Sequence, residues 1–391
     1  MGKTVITNGI IVTETRLIPN GSLVIEDGRI LDILEGAPVE AEGAEIIDAA
    51  GQYISPGFID IHVHGGGGYE FMCENPQDAI EVCKMHLSHG TTSLLPTTSS
   101  AEKEAFVKSM DSINSAAKLM KDGPNLLGIH MEGPYFAMNQ RGAQDIRYLR
   151  NPDPTEYLDI LDKYPNILRW SAAPELPGAL EMAALLGERG VHLSIGHSDA
   201  LYEEAIQAFE HGFRTITHFY SCISTVRRIN AYRYAGIVEA GYQLDDMMVE
   251  VIADGKHLPA SLLKLIYKIK GADRICLVTD GVGPAGLPDG GEMYSKTCGI
   301  PIIVEDGVAK VEDRSAFAGS VATTDRLVRT MRTLAEVPMC DAVKMMTATP
   351  AKNIGVFDRK GSIAIGKDAD IVLFNEHIDV SRVLVNGKTV V

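Results

Sequence analysis

Two histidines separated by one residue, His62 and His64, stand at the end of an apolar stretch and precede four glycines at residues 65–68. Alternate residues of a β-strand point to the same face of a sheet. Both imidazoles would therefore project together, and the glycines would let the backbone turn sharply beyond them. This spacing is typical of half a metal site. The alternative for an isolated pair is two buried histidines that are satisfied by hydrogen bonds.

Similar polar residues follow several later apolar stretches, and they are His130, Glu132, His197, Asp199, His218, Asp254, His257 and Asp280. Histidine and carboxylate ligands, with no soft ligand among them, suit Zn²⁺ or another first-row divalent ion. Simpler roles exist for some of them. His130 could form only a hydrogen bond behind Glu132, and aspartates at such positions often cap helices. Their shared position at strand ends favours one metal site over a packed polar core.

Hydrophobic patterning indicates the elements that would bring these side chains together. Predicted strands end near Val63, Pro96, His130, Ala173, Ile195, His218, Ala253 and Thr279. Predicted helices between them cover residues 76–89, 101–121, 155–164, 178–189, 201–211 and 259–270. Eight strands alternating with helices predict a parallel (β/α)8 barrel of the TIM type, whose strand ends converge on one mouth. A doubly wound open sheet is the competing fold.

Short β-strands flank this region on both sides. Residues 1–56 contain a hairpin signal at Asp27-Gly28, and residues 355–391 contain another at Asn386-Gly387. We expect these two segments to form one small β-sandwich beside a metal-dependent barrel at residues 57–354. A further β segment at residues 296–311 is predicted to be an inserted hairpin.

Composition limits the possible partners. The 391 residues carry a formal net charge of −16, which disfavours nucleic acid and anionic membrane surfaces. We find no basic-then-apolar leader and no apolar run that could span a bilayer. The six cysteines show no Cys-x-x-Cys spacing, so we expect reduced thiols in a cytoplasmic protein. Glu70 and Phe71 stand where a phosphate loop would need its last glycine, which excludes a nucleotide-binding loop there.

These strand ends resemble the amidohydrolase superfamily. The run Pro-Gly-Phe-Ile-Asp-Ile-His-Val-His-Gly at residues 56–65 is similar to its strand-one signature. The runs at residues 130–135, 196–198, 253–257, 277–280 and 317–320 resemble its sugar-phosphate deacetylase branch. The resemblance extends over essentially the whole chain. It implies a hydrolase that removes the acetyl group from an N-acetylhexosamine 6-phosphate, with N-acetylglucosamine 6-phosphate as the first candidate.

The resemblance also implies roles at the metal site. The implied ligands are Glu132, His197 and His218 for the catalytic ion, and His62 and His64 for a second ion. The ion would be Zn²⁺, with Fe²⁺ or another first-row ion as the alternative. Residues 171–175 contain no lysine that could be carbamylated, so Glu132 would take the bridging place, which argues against a dihydroorotase-like or hydantoinase-like enzyme. Asp280 would take a proton from the attacking water and return it to the departing amine.

The implied substrate-binding residues are Ala143, Gln144, Ser221, Cys222, Arg227, Arg228, His257, Phe317, Ala318 and Gly319. Three of these positions differ from the superfamily branch. Ser221-Cys222 replaces an Asn-Ala pair, and Gln144 replaces a histidine thought to polarise the substrate carbonyl. A glutamine amide can donate a hydrogen bond but cannot carry charge. Arg228 or Arg227, and next Arg233, is the candidate phosphate ligand, and a solvated basic loop is the alternative.

Other interpretations remain beside this one. The departures leave the hexosamine open, because N-acetylglucosamine, N-acetylgalactosamine and other N-acylated sugars would fit. A deaminase, or a deacylase for a different N-acyl substrate, would share the metal site. A catalytically silent barrel would bind no divalent metal. By analogy with the superfamily branch we expect a homodimer, in which the phosphate arginine could come from the neighbouring subunit.

Overall fold

The computed structural model describes residues 2–36, 43–290 and 292–391, so residues 1 and 37–42 of the first predicted segment lie outside the described residues. The first strands are β1 (Lys3–Val12), β2 (Leu17–Glu26), β3 (Arg29–Leu34), β4 (Glu45–Asp48) and β5 (Tyr53–Pro56). Asp27 and Gly28 join β2 to the antiparallel β3, with φ angles of 49° and 78°. The predicted hairpin turn at Asp27-Gly28 is therefore confirmed.

Strands and helices alternate in the central part of the chain. Its elements are β6 (Phe58–Val63), β7 (Gly65–Gly66), β8 (Tyr69–Glu70), α1 (Pro76–Ser88), β9 (Thr91–Pro96), α2 (Lys103–Leu119), β10 (Asn125–Leu126), β11 (Ile129–Glu132), α3 (Pro154–Lys163), β12 (Ile167–Ala172), α4 (Ala179–Glu188), β13 (His192–Ile195), α5 (Tyr202–Glu210), β14 (Phe213–Ile216), β15 (Arg227–Ile229), β16 (Tyr232–Tyr234), α6 (Ile237–Gln243), β17 (Met248–Val251), α7 (Ala260–Lys270) and β18 (Ile275–Leu277). Every predicted helix is present. The hairpin β15–β16 and the short helix α6 were not predicted.

The central strands form two parallel sheets, ordered β10-β9-β6 and β11-β12-β13-β14-β17-β18. Parallel bridges pair Thr97 with His130 and Val63 with Gly281. The carboxyl ends of β9 and β11, and of β6 and β18, therefore lie side by side. Every residue of β6 and β9 is buried, as expected for parallel strands that are covered on both faces. The predicted mixed α/β class with parallel strands is confirmed.

Packing behind the sheet fixes the turn that follows β11. The Trp170 ring is fully buried and stacks on Tyr135, with ring centroids 5.9 Å apart. Its indole Nε1–H donates a hydrogen bond to the Gly133 carbonyl at 2.9 Å. This contact holds the backbone directly after Glu132, so the side chain at the end of β11 has a defined direction.

The remaining elements are β19 (Glu292–Ser295), β20 (Ile300–Glu305), β21 (Val308–Val311), α8 (Thr324–Thr333), α9 (Met339–Met346), α10 (Ala348–Asn353), β22 (Ile371–Phe374), β23 (Val380–Val385) and β24 (Lys388–Thr389). The predicted hairpin at residues 296–311 is confirmed as β20–β21, and β19, which was not predicted, completes a three-stranded antiparallel meander. Strand β22 pairs with β5, so strands from both parts of the chain share one sheet. Among the helices of the described ranges, none has the length and apolar character needed to cross a membrane.

Candidate active site

A cavity of about 220 Å³ lies where the carboxyl ends of the parallel strands meet. The predicted site residues in its wall are His64, Glu132, Ala143, Gln144, His197, His218, Ser221, Cys222, His257, Asp280, Phe317 and Gly319. Ser99, Thr297, Cys298 and Ala316 also line it and were not predicted. Most of these additional residues come from the segment between β19 and α8, which also contains the predicted residues Phe317 to Gly319. Among the predicted residues, His62, Ala318, Arg227 and Arg228 do not line the cavity.

Glu132, His197 and His218 form a compact group with metal-ligand spacing. The Oε1 atom of Glu132 lies 3.2 Å from His218 Nε2 and 3.5 Å from His197 Nε2. The two Nε2 atoms are 3.1 Å apart. All three side chains are buried, so bulk water screens their mutual interactions only weakly.

Hydrogen bonds on the far side of each ring identify the tautomers in this group. His197 Nδ1 lies 2.8 Å from the Gln140 carbonyl, and His218 Nδ1 lies 3.0 Å from the Ser221 carbonyl. Because a carbonyl only accepts, each Nδ1 carries a proton and each Nε2 can present a lone pair. Two lone pairs and a carboxylate oxygen then face one another, which is unfavourable unless a proton or a metal cation lies among them. The donor set therefore fits a divalent metal ion.

A second group of possible ligands consists of His62, His64 and Glu132. His62 Nε2 lies 3.2 Å from His64 Nε2 and 3.3 Å from Glu132 Oε1. Burial lowers the pKa of His64, but hydrogen bonds to Asp280 and Glu132 raise it, to about 9. A cation in this position would therefore compete with a proton, so its binding should strengthen as pH rises. Glu132 belongs to both groups and joins them.

Glu250 and Arg169 support the ligand histidines from the side away from the cavity. Both residues are buried and charged, and the sequence analysis missed them. Glu250 Oε2 accepts hydrogen bonds from His62 Nδ1 at 3.0 Å and from the His218 backbone N–H at 3.1 Å. Its other oxygen pairs with the fully buried guanidinium of Arg169. Burial would raise the pKa of Glu250, but the charges of Arg169 and His62 and the hydrogen bonds from both residues together lower the pKa to about 2. The available sequence signal was a single charged residue inside each of two mostly apolar strands, β12 and β17.

Asp280 lies beside the second group without belonging to either set of ligands. Its Oδ1 atom is 3.3 Å from His64 Nε2 and 3.5 Å from His62 Nε2. Its side chain is 13% exposed and lines the cavity. A carboxylate in this position can reach both a ligand in the cavity and the water beside it, as a proton carrier requires.

Backbone strain aims several of these side chains into the cavity. His197, His218 and Asp280 have φ angles of 46°, 30° and 47°. Left-handed backbone costs a non-glycine residue about 1–3 kcal/mol, and it persists where the surrounding structure enforces it. Each of these residues lies two or three positions beyond the end of a parallel strand, where the chain turns out of the sheet. The concentration of strain at the cavity indicates a functional site.

Gln144 occupies the wall next to Glu132, and its amide has one orientation. The Ser100 backbone N–H donates to Oε1 at 3.0 Å, and the Ser99 hydroxyl lies 3.0 Å from the same atom and 2.7 Å from the Thr297 carbonyl. A backbone N–H can only donate, so the oxygen of the amide must face it. The amide nitrogen then donates to Glu132 Oε2 at 2.7 Å. The second N–H of this amide is left for a ligand.

His257 and Phe317 form another part of the wall, with ring centroids 4.8 Å apart. Asp254 holds His257 Nδ1 at 2.8 Å and also accepts from two backbone N–H groups of the same turn. The alternative that Asp254 caps a helix is wrong, because Pro259 is the N-cap of α7 and the Asp254 carboxylate orders the loop before it instead. Ala318 is buried behind the wall.

The arginines proposed for phosphate lie elsewhere. Arg227 Nη1 lies 2.7 Å from Asp199 Oδ1, so its charge already has a partner. Arg228 is exposed and faces Arg233 across the hairpin β15–β16. Neither residue reaches the cavity wall within this chain, and among the described lining residues none is a lysine or an arginine.

Comparison with known proteins agrees with this geometry. The Amidohydrolase family model matches residues 53–390, which is most of the chain. The chain belongs to the amidohydrolase family. Among similar proteins, the N-acetylglucosamine-6-phosphate deacetylase of Bacillus subtilis (strain 168) is 30% identical over 97% of this chain and 94% of its own length. The N-acetylgalactosamine-6-phosphate deacetylase of Escherichia coli O157:H7 is 30% identical over 97% of both chains.

Solved structures extend the family likeness to three dimensions. One is a mutant N-acetyl-D-glucosamine-6-phosphate deacetylase from Mycobacterium smegmatis in complex with N-acetyl-D-glucosamine-6-phosphate. It has a TM-score of 0.91 and 27% identity, and the alignment covers 100% of both chains. The family resemblance inferred from the sequence is confirmed.

Proposed function

We propose that this chain hydrolyses the acetamide of an N-acetylhexosamine 6-phosphate, with N-acetylglucosamine 6-phosphate as its first substrate. Water adds to the carbonyl carbon, the C–N bond breaks, and acetate and the amino sugar phosphate leave. The observation that carries this proposal is the meeting of Glu132, His197 and His218 with Asp280 at one cavity. Relatives aligned over nearly their full length are named for this reaction on glucosamine and galactosamine derivatives.

Glu132, His197 and His218 would hold the catalytic ion, which we assign as Zn²⁺ from its preference for nitrogen and carboxylate ligands. His62 and His64 would hold a second ion, with Glu132 common to both positions. A divalent ion, when bound, supplies a Lewis acid that acidifies water and polarises a carbonyl group. Glu250 fixes the ring of His62 from behind, as a carboxylate behind a ligating histidine commonly does.

Asp280 would act as general base and then as general acid in this reaction. It accepts a proton from the attacking water and delivers it to the amide nitrogen as the C–N bond breaks. The nitrogen then leaves as an amine, which is a far better leaving group than an amide anion. The amide N–H of Gln144 points to the same space and would donate to the acetamide carbonyl, in place of the histidine usual in relatives. Ala143, Ser221, Cys222, His257 and the segment Phe317, Ala318 and Gly319 would contact the sugar or support its wall.

We further propose that the two parallel sheets close into one (β/α)8 barrel at residues 57–354. The bridges between Thr97 and His130 and between Val63 and Gly281 support closure, because they join the chain at the carboxyl ends of β9 and β6 to β11 and to the segment after β18 in the other sheet. Residues 1–56 and 355–391 would form the flanking β-sandwich.

The proposal also includes a phosphate contact from a second copy of the chain and a cytoplasmic location. The catalytic cavity has no arginine or lysine among its described lining residues, so Arg228 or Arg233 of a second copy would supply the phosphate contact in a homodimer. The six cysteines are all unpaired within the described residues, which supports a reducing, cytoplasmic setting.

The test is acetate release from a panel of phosphorylated and unphosphorylated N-acetylhexosamines, together with the metal content of the purified protein. We expect one acetate per amine released from N-acetylglucosamine 6-phosphate, loss of this activity with a chelator, and recovery with Zn²⁺. Failure of the metal-loaded protein to release acetate from any phosphorylated sugar would refute the proposal. Ammonia release from heterocycles would indicate the deaminase alternative, and failure to take up any divalent ion would indicate a silent barrel.

A further inference from the structure

The catalytic cavity continues into a second, larger cavity. The second cavity has a volume of about 640 Å³, compared with about 220 Å³ for the first. The residues that line both are Gly142, Ala143, Gln144, Cys298 and Ala316. A shared wall of this extent means that a group bound in the first cavity can extend into the second.

The position of the shared wall shows which part of a substrate could extend. Gln144 belongs to that wall, and its amide nitrogen lies 2.7 Å from Glu132 at the metal-ligand group. His257 and Phe317 line the first cavity alone. The passage opens beside Gln144 and the metal-ligand group, where the reacting carbonyl would be held. A group attached to the carbonyl carbon could therefore enter it.

The surface of the second cavity suits a short apolar chain. Ile146, Ile300, Pro301 and Val311 line it, and Ile146 and Ile300 are 50% and 36% exposed. The charged residues at this cavity are Arg141, Asp145, Arg147, Glu312 and Asp313. Asp145 and Arg147 pair with each other, and the other three are exposed to solvent. An acyl chain could cover the exposed apolar side chains without separating an ion pair.

We propose that the second cavity is a binding site for N-acyl chains longer than acetyl. The inference rests on the proposed function, because the same amide bond is hydrolysed. Water forms the new C–O bond, the C–N bond breaks, and the products are the longer carboxylate and the same amino sugar phosphate. N-Propionyl and N-butyryl glucosamine 6-phosphate are therefore substrates of this chain, and the acyl group is selected between the 141–147 loop and the β20–β21 hairpin.

The test compares kcat/KM for the N-acetyl, N-propionyl and N-butyryl sugars in the metal-loaded enzyme. Burial of one methylene contributes about 0.8 kcal/mol, so kcat/KM should rise by up to about fourfold for each carbon added. Ile300→Asp and, separately, Ile146→Asp place a carboxylate in the second cavity and should bring the butyryl-to-acetyl ratio down to one or below. The matched control is Ile365→Asp, because Ile365 is 66% exposed and lines neither cavity. The control should keep the wild-type ratio.

The possible outcomes distinguish failure of the acyl-chain site from failure of the proposed deacetylase activity. A steep fall in kcat/KM from acetyl to propionyl to butyryl would overturn the acyl site while leaving the deacetylase proposal intact. A butyryl preference that survives in both Ile146→Asp and Ile300→Asp would also overturn it. Absence of hydrolysis for every N-acyl sugar phosphate would instead refute the proposed function. Thermal unfolding of each variant, compared with Ile365→Asp, identifies a variant that has lost its fold.

Discussion

Replacement of Asp280 by asparagine should stop turnover while the metal stays bound. The Asp280 carboxylate lies 3.3 Å from His64 Nε2 and belongs to neither group of possible metal ligands. Asparagine has nearly the same shape, but its amide cannot take a proton from water. The variant therefore loses general acid–base catalysis, which contributes about 10²–10⁴-fold. At about 1.36 kcal/mol per decade, the transition state loses about 3–5 kcal/mol.

The assay measures the kcat for acetate release and the metal content of the same preparation. Asp325→Asn is a matched control, because Asp325 has a side-chain exposure of 10%, close to the 13% of Asp280, and lies outside the cavity. The control should keep kcat within a few-fold of the wild type. A kcat for Asp280→Asn within tenfold of the wild type, at equal metal content, would refute the proton-carrier role. Loss of metal from Asp280→Asn would show instead that Asp280 is a ligand.

Three further predictions follow from the contacts around the cavity. Gln144→Leu removes the amide donor and should lower kcat by about 10²-fold, the usual effect of losing one such donor, measured by steady-state kinetics. Glu250→Gln weakens the hold on His62 and should lower affinity for a second divalent ion by about 10–100-fold, measured by calorimetric titration. Burial lowers the pKa of His86 to about 4, whereas an unfolded histidine titrates near 6.5. The unfolded chain therefore binds an extra proton between those values, and stability falls as pH falls. Between pH 8 and pH 5, the unfolding free energy of the wild type should therefore fall by about 2 kcal/mol more than that of His86→Gln. Urea denaturation at the two pH values measures this difference.

Each of these predictions has a contradicting result. Normal kcat in Gln144→Leu would mean that the amide does not act on the substrate. Unchanged metal stoichiometry and affinity in Glu250→Gln would show that His62 needs no support from behind. An acid-side stability loss in His86→Gln as large as in the wild type would assign that loss to other groups. The Nε2 of His86 donates to the Gly65 carbonyl at 2.9 Å, a bond that glutamine can replace, so the variant should fold.

The sequence predicted the ligand groups well because they depend on position along a strand. Alternate residues of β6 place His62 and His64 together, and Glu132 ends β11. Such placement follows from parallel strands whose carboxyl ends meet at one edge. The resemblance to the amidohydrolase superfamily added the proposed proton-carrier role of Asp280, which lies beside these groups.

Other parts of the site depend on tertiary contacts that local patterns do not reveal. Glu250 and Arg169 meet although they are 81 residues apart, and neither spacing nor hydropathy pairs them. The prediction that Arg227 is a free phosphate ligand overlooked its ion pair with Asp199, which forms only in three dimensions. Helix α6 was missed because it is short, at 7 residues, and begins next to Gly236. Left-handed backbone at His197 and His218 is likewise imposed by the surrounding fold, since neither residue favours it.

The pairing of β5 with β22 affects the order in which the chain can mature. During synthesis, Tyr53 to Pro56 leaves the ribosome more than 300 residues before its neighbour Ile371 to Phe374. Until then, one edge of the strand that leads directly into β6 has unsatisfied backbone groups. A nascent chain halted before Phe374 would present this edge to other nascent chains and to chaperones. Premature termination near the carboxyl end should therefore harm yield through aggregation before it affects any residue of the cavity.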